Sequence, residues 1–60
     1  MNFIYVKTTN GSDLRINELN IIYFFRNYKN TFTTIRIVTN NIVEDIDVIE
    51  TTDEIVNMIS

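Results

Sequence analysis

A single mainly β domain is the fold class this sequence predicts: a five-stranded antiparallel meander or small barrel, closed by one short C-terminal helix, over residues 1–60. Three observations predict it. The apolar set is entirely large, with eleven Ile, five Val, two Leu, four Phe, three Tyr and two Met and no Ala or Pro, a bias that suits a pleated, half-buried surface. Two turn signals, Asn10-Gly11 and Asn40-Asn41, each sit between alternating segments. Only from Thr51 onward does the apolar spacing become helical.

The first element is a hairpin over Phe3–Ile16. Asn-Gly favours a two-residue type I′ turn, which needs positive φ at both central residues. That loop predicts Thr9 opposite Ser12, Lys7 opposite Leu14 and Tyr5 opposite Ile16. Phe3, Tyr5, Leu14 and Ile16 then share a face with Lys7. Ile4, Val6, Thr8, Asp13 and Arg15 take the other, so the first strand is expected to need cover on both sides.

The middle segment, Glu18–Lys29, reads two ways. As a strand it sends Ile21, Tyr23 and Phe25 to one side and Ile22, Phe24, Arg26 and Tyr28 to the other. As a helix capped by Asn17 it carries a stripe of Ile21, Phe24, Phe25 and Tyr28. Its short window and its β-branched and aromatic residues favour the strand, which completes the meander.

A second hairpin centres on Asn40-Asn41. Pairing Thr39 with Ile42 sets Ile37 opposite Glu44, Ile35 opposite Ile46 and Thr33 opposite Val48. Its other face matches Arg36 with Asp45 and Thr34 with Asp47, a polar surface with one cross-strand ion pair. A one-residue slip loses this sorting. The chain then reaches Thr51-Thr52-Asp53-Glu54, a capping box with Thr51 as N-cap and Glu54 at the third helical position. Ile55, Met58 and Ile59 form a stripe too short to be stable unless it docks on the sheet.

Composition removes several functional classes. Without His or Cys there is no Ser-His-Asp or Cys-His nucleophilic site and no structural zinc site. A net charge of −3 without a basic cluster argues against a long nucleic acid as partner. No apolar run is long enough to span a bilayer. Lys7 follows too soon for a signal peptide, so a cytoplasmic location without membrane insertion is expected.

Two groups of side chains could carry chemistry. Glu44, Asp45, Asp47, Glu50, Asp53 and Glu54 look like an acidic cluster, but strand alternation divides them between faces and the helix start claims Asp53 and Glu54. They read as solvated surface and caps, with no metal site, no catalytic residue and no cofactor expected. Aromatic and guanidinium groups interleave at Tyr23, Phe24, Phe25, Arg26, Tyr28, Phe32 and Arg36; the candidate interaction residues are Ile22, Tyr23, Phe24, Arg26, Tyr28 and Arg36. They suit core and a self-association surface, with a small anionic ligand as the other use.

Small barrels have few interior positions, yet Ile4, Val6, Ile22, Phe24, Val38, Val43 and Ile49 fall on outer faces in these registers. The helix can cover only some of them. A homo-oligomer, most simply a dimer joined by sheet faces or edges, is therefore expected.

The pattern Asn10-Gly11, Ile16-Asn17, Ile21, Thr34-Ile35, Asp47-Val48-Ile49-Glu50-Thr51, Asp53-Glu54-Ile55 and Ile59 resembles the small flagellar proteins of the FlbD (SwrD) type over about residues 9–59. The resemblance implies a motility accessory and assigns no catalytic or ligand residue. Asn40-Asn41 stands where that family tends to have a Gly-containing turn. Two functions are expected as alternatives. One is a non-enzymatic protein-interaction module, acting through an apolar face and self-association. The other is a small phage or mobile-element inhibitor that blocks a host protein or sequesters a nucleotide.

Overall fold

The computed structural model describes residues 2–29 and 31–59. The chain is mainly β with one C-terminal helix. In order the elements are β1 (Phe3–Lys7), β2 (Asp13–Asn17), a 3₁₀ turn (Glu18–Asn20), β3 (Ile21–Asn27), β4 (Phe32–Thr39), β5 (Ile42–Val48) and α1 (Thr52–Met58). The middle segment is thus a strand. Asn17 does cap, but it caps the 3₁₀ turn, its side chain accepting from the Leu19 N–H at 3.0 Å.

The strands divide into two antiparallel sheets, β1-β2 and β3-β4-β5. This corrects the expected continuous meander or closed barrel: among the described residues β2 and β3 are not paired. The capped 3₁₀ turn diverts the chain between them, so β3 begins a new sheet. The sheets meet instead where β1 ends and β5 ends. Thr8 bridges to Val48, the Ile49 N–H donates to Lys7 O at 2.9 Å, and the Thr9 N–H donates to Asp47 O at 3.1 Å.

The second hairpin has the expected register throughout, from Thr39 opposite Ile42 to Thr33 opposite Val48. Asn40 and Asn41 sit at φ 50° and 66°, the left-handed pair that a type I′ turn requires. The first hairpin corrects its expectation by one residue. Val6 faces Leu14 and Ile4 faces Ile16, because the loop holds three residues and not two. The Gly11 N–H donates to Thr8 O at 2.9 Å and the Thr8 N–H donates to Ser12 O at 2.8 Å. Only Gly11 takes positive φ there, +94°, which is a turn followed by a glycine bulge. Asn10 contributes its side chain: its Oδ1 accepts from Thr8 Oγ1 and, at 3.2 Å, from the Ser12 N–H.

That one-residue shift turns β1 over relative to β2, whose Leu14 and Ile16 keep their shared face. Ile4, Val6 and Ile16 are buried, while Phe3, Tyr5 and Arg15 point outward. The need for cover on both sides of β1 disappears. The core lies between the sheets and consists of Ile4, Val6, Ile16, Ile35, Ile37, Val48 and Ile55. The last of these comes from α1, which packs on β1 and β3. The capping box forms as expected: the Glu54 N–H donates to Thr51 Oγ1 at 3.2 Å and the Thr51 N–H donates to Glu54 Oε1 at 2.9 Å.

Candidate functional site

The candidate site is the outer face of β3-β4-β5 together with the free edge of β3. Pairing sets Tyr23 beside Arg36 and Phe25 beside Thr34; β4 in turn sets Arg36 beside Asp45 and Thr34 beside Asp47. Two parallel rows result, each beginning with an aromatic ring on the edge strand and ending on a carboxylate. In the first, the Arg36 guanidinium lies 5.1 Å from the centre of the Tyr23 ring and donates from Nε to Asp45 at 2.7 Å and from a terminal nitrogen at 3.0 Å. In the second, Thr34 Oγ1 donates to Asp47 at 2.9 Å. The Tyr23 and Phe25 ring centres are 6.1 Å apart, tilted by 37°.

The two-point hydrogen bond with Arg36 holds the Asp45 carboxyl below its ordinary value. Asp45 in turn raises the Arg36 guanidinium above its own. Both charges therefore stay ionised through the physiological range. Their pairing fixes the guanidinium beside the Tyr23 ring, where its cation–π contact is kept.

Six residues were expected at this site, and the structure distributes them. Tyr23 and Arg36 form the first row. Ile22 is exposed at the edge, Tyr28 is 87 % exposed just beyond the strand, and Arg26 sits opposite Thr33 on the inner face. Phe24 is a correction: it faces inward, opposite Ile35, and packs against the core. Its place on the outer face is taken by Phe25, which sequence alternation sent inward with Tyr23. The cause is a bulge between Ile21 and Tyr23. It lets Ile21 and Phe24 both reach the core and leaves Ile22 as the extra residue on the rim.

A second aromatic–guanidinium contact lies on the other sheet, where Arg15 sits 4.8 Å from the centre of the Phe3 ring. Beside it a shallow groove of about 370 Å³ is lined by Tyr5, Lys7, Asp13, Leu14, Arg15 and Glu50 among others. Its charges are mutually engaged. Lys7 Nζ lies 3.5 Å from Asp13, and both Glu50 carboxylate oxygens accept the Lys7 N–H, at 2.9 and 3.0 Å. The Glu50 clamp joins residues 43 apart in sequence, a long-range contact that local pattern does not signal.

Of the remaining acidic residues, Asp45 and Asp47 serve the outer rows and Glu54 the helix cap. Among the described residues no group of three or more His, Cys, Asp or Glu is placed to hold a metal ion. No helix among them is long and apolar enough to cross a membrane. No family model, no curated protein and no solved structure matches this chain.

Proposed function

We propose that this protein is a non-enzymatic, cytoplasmic protein-interaction module that works by self-association through the outer face and free edge of β3. One observation carries the proposal. Tyr23 and Phe25, each 44 % exposed, form an aromatic pair on an edge strand whose neighbours are already satisfied. Large rings left half in water next to unpaired backbone make a docking surface in a soluble domain. The Arg36–Asp45 pair beside them is neutral as a unit, so the face favours an uncharged aromatic counterpart over a polyanion. A role as a motility accessory would follow from the resemblance to the small flagellar proteins; the surface itself supports association, whatever assembly it serves.

Multi-angle light scattering over a wide micromolar range tests it. The chain has a mass of 7.1 kDa. The wild type should show a mass at least twice that, and the double variant Tyr23→Ser/Phe25→Ser, with unchanged far-ultraviolet circular dichroism, should run as a monomer. A wild type that stays monomeric at every concentration overturns the proposal.

A further inference from the structure

The sheet edges of this protein are unequally guarded. Where β1 leaves β5, the Lys7 N–H is held by both oxygens of Glu50, so a side chain occupies the position of a neighbouring strand. The edge of β5 carries Glu44 and Asp45, and β2 is five residues long with Asp13 and Arg15 in it. Charges and short length are the usual means of blocking edge pairing. β3 has neither. Its seven residues, Ile-Ile-Tyr-Phe-Phe-Arg-Asn, contain one charge and no carboxylate. Its only irregularity, the bulge at Ile22, leaves Tyr23–Asn27 in regular register with β4.

Resting on the self-association proposed above, we infer that β3 pairs antiparallel with β3 of a second copy about a two-fold axis at Phe24. The two three-stranded sheets then become one of six strands. Phe24 is the midpoint of Ile21–Asn27, so this axis centres the overlap of the two strands and puts the regular stretch around Tyr23–Phe25 at its middle. It sets Tyr23 opposite Phe25 of the second copy, and Phe25 opposite the second copy's Tyr23. The four half-exposed rings become a continuous row on the outer face, a favourable cross-strand pairing.

Charge supports the same partner and the same direction. Glu18 precedes β3, whereas Arg26 and Lys29 lie at and beyond its end. Antiparallel pairing brings the acidic entry of one copy against the basic exit of the other, twice. The carboxylates of β5 are separated from this edge by β4, roughly 10 Å at two strand spacings. Two copies that each carry a net charge of −3 therefore meet with little repulsion at β3.

Cysteine cross-linking tests the register, since the chain has no cysteine of its own. Tyr23→Cys and Phe25→Cys are prepared as separate proteins, with Val43→Cys on β5 as a control. Directly opposed Cα atoms lie about 4.5–5.5 Å apart, within disulfide reach; Tyr23 and its own symmetry mate are two positions out of register and beyond it. After mixing and mild oxidation, Tyr23→Cys with Phe25→Cys should give the covalent heterodimer as the main product, with little from either alone or from Val43→Cys. If a single variant cross-links as well as the mixture, or Val43→Cys does, the register is wrong while self-association stands. A wild type monomeric by light scattering removes both. Should either variant lose its circular dichroism spectrum, intermolecular nuclear Overhauser contacts between Tyr23 and Phe25 in a mixture of isotope-labelled and unlabelled wild-type chains read the same register.

Discussion

Replacing Gly11 by alanine isolates the backbone conformation that sets the register of the first hairpin. Gly11 sits at φ +94°, and an added Cβ would meet nothing within 4 Å. The cost of Gly11→Ala is therefore conformational and not steric. An L-residue in left-handed backbone costs roughly 1–2 kcal/mol. About 0.4–1 kcal/mol is offset because alanine restricts the unfolded chain. The net destabilisation is about 1 kcal/mol, which for a chain of this size lowers Tm by about 8 °C. Thermal unfolding followed by circular dichroism measures it. A synthetic chain with D-alanine at position 11 is the control, because a D-residue takes positive φ freely and keeps the gain from the unfolded state. It should melt at or above the wild type. An L-alanine variant as stable as wild type, or a D-alanine variant less stable than the L form, would refute the three-residue loop.

Four further outcomes follow from the same structure. Thr33 is fully buried and its hydroxyl finds no hydrogen-bond partner among the described residues, so the isosteric Thr33→Val should stabilise by about 1 kcal/mol in urea unfolding; a loss of stability would show a partner for that oxygen. Thr51→Ala removes the acceptor of the Glu54 N–H and should cost about 1 kcal/mol, with Thr51→Ser recovering most of it. Glu50→Ala frees the Lys7 N–H and should cost about 1 kcal/mol while raising amide exchange at Lys7; unchanged exchange there would contradict the clamp. Asp45 should titrate below its ordinary value of 3.8 by carbon NMR. Because its folded value is depressed, its contribution to stability is full above the unfolded value and is lost as pH falls through the folded one. Arg36→Met should return the midpoint toward 3.8, the ordinary value, and a wild-type midpoint at or above that value would sink the pairing.

How far the fold could be read from residues depended on the turn. At Asn40-Asn41 both central residues take positive φ, the alternation on either side sorts apolar from polar without conflict, and every pair follows. At Asn10-Gly11 the same dipeptide signal selects a different loop, because Asn10 uses its side chain to cap the turn and only Gly11 crosses to positive φ. The alternation already carried the clue. A three-residue loop gathers Ile4, Val6, Leu14 and Ile16 on one face, whereas the two-residue loop puts Lys7 among the apolar residues.

At the candidate site the residue types were legible and the faces were not. Strict period-two reading ties Tyr23 to Ile21 and separates both from Phe24. The bulge at Ile22 breaks that period, and nothing local in Ile21-Ile22 announces it, since either isoleucine could take the inward position. Partition into two sheets was hidden for a related reason. Asn17 was legible as a cap, but a cap signal does not say whether three residues of 3₁₀ turn or a full helix follow it.

Amide hydrogen exchange across β3, recorded from low to high micromolar concentration, tests the association most directly. The account requires protection of those amides of Tyr23–Phe25 that point away from β4, alternate ones along the strand, to rise with concentration while the amides of β5 stay unchanged. Protection of β3 independent of concentration, or a rise confined to β5 or β2, would contradict it.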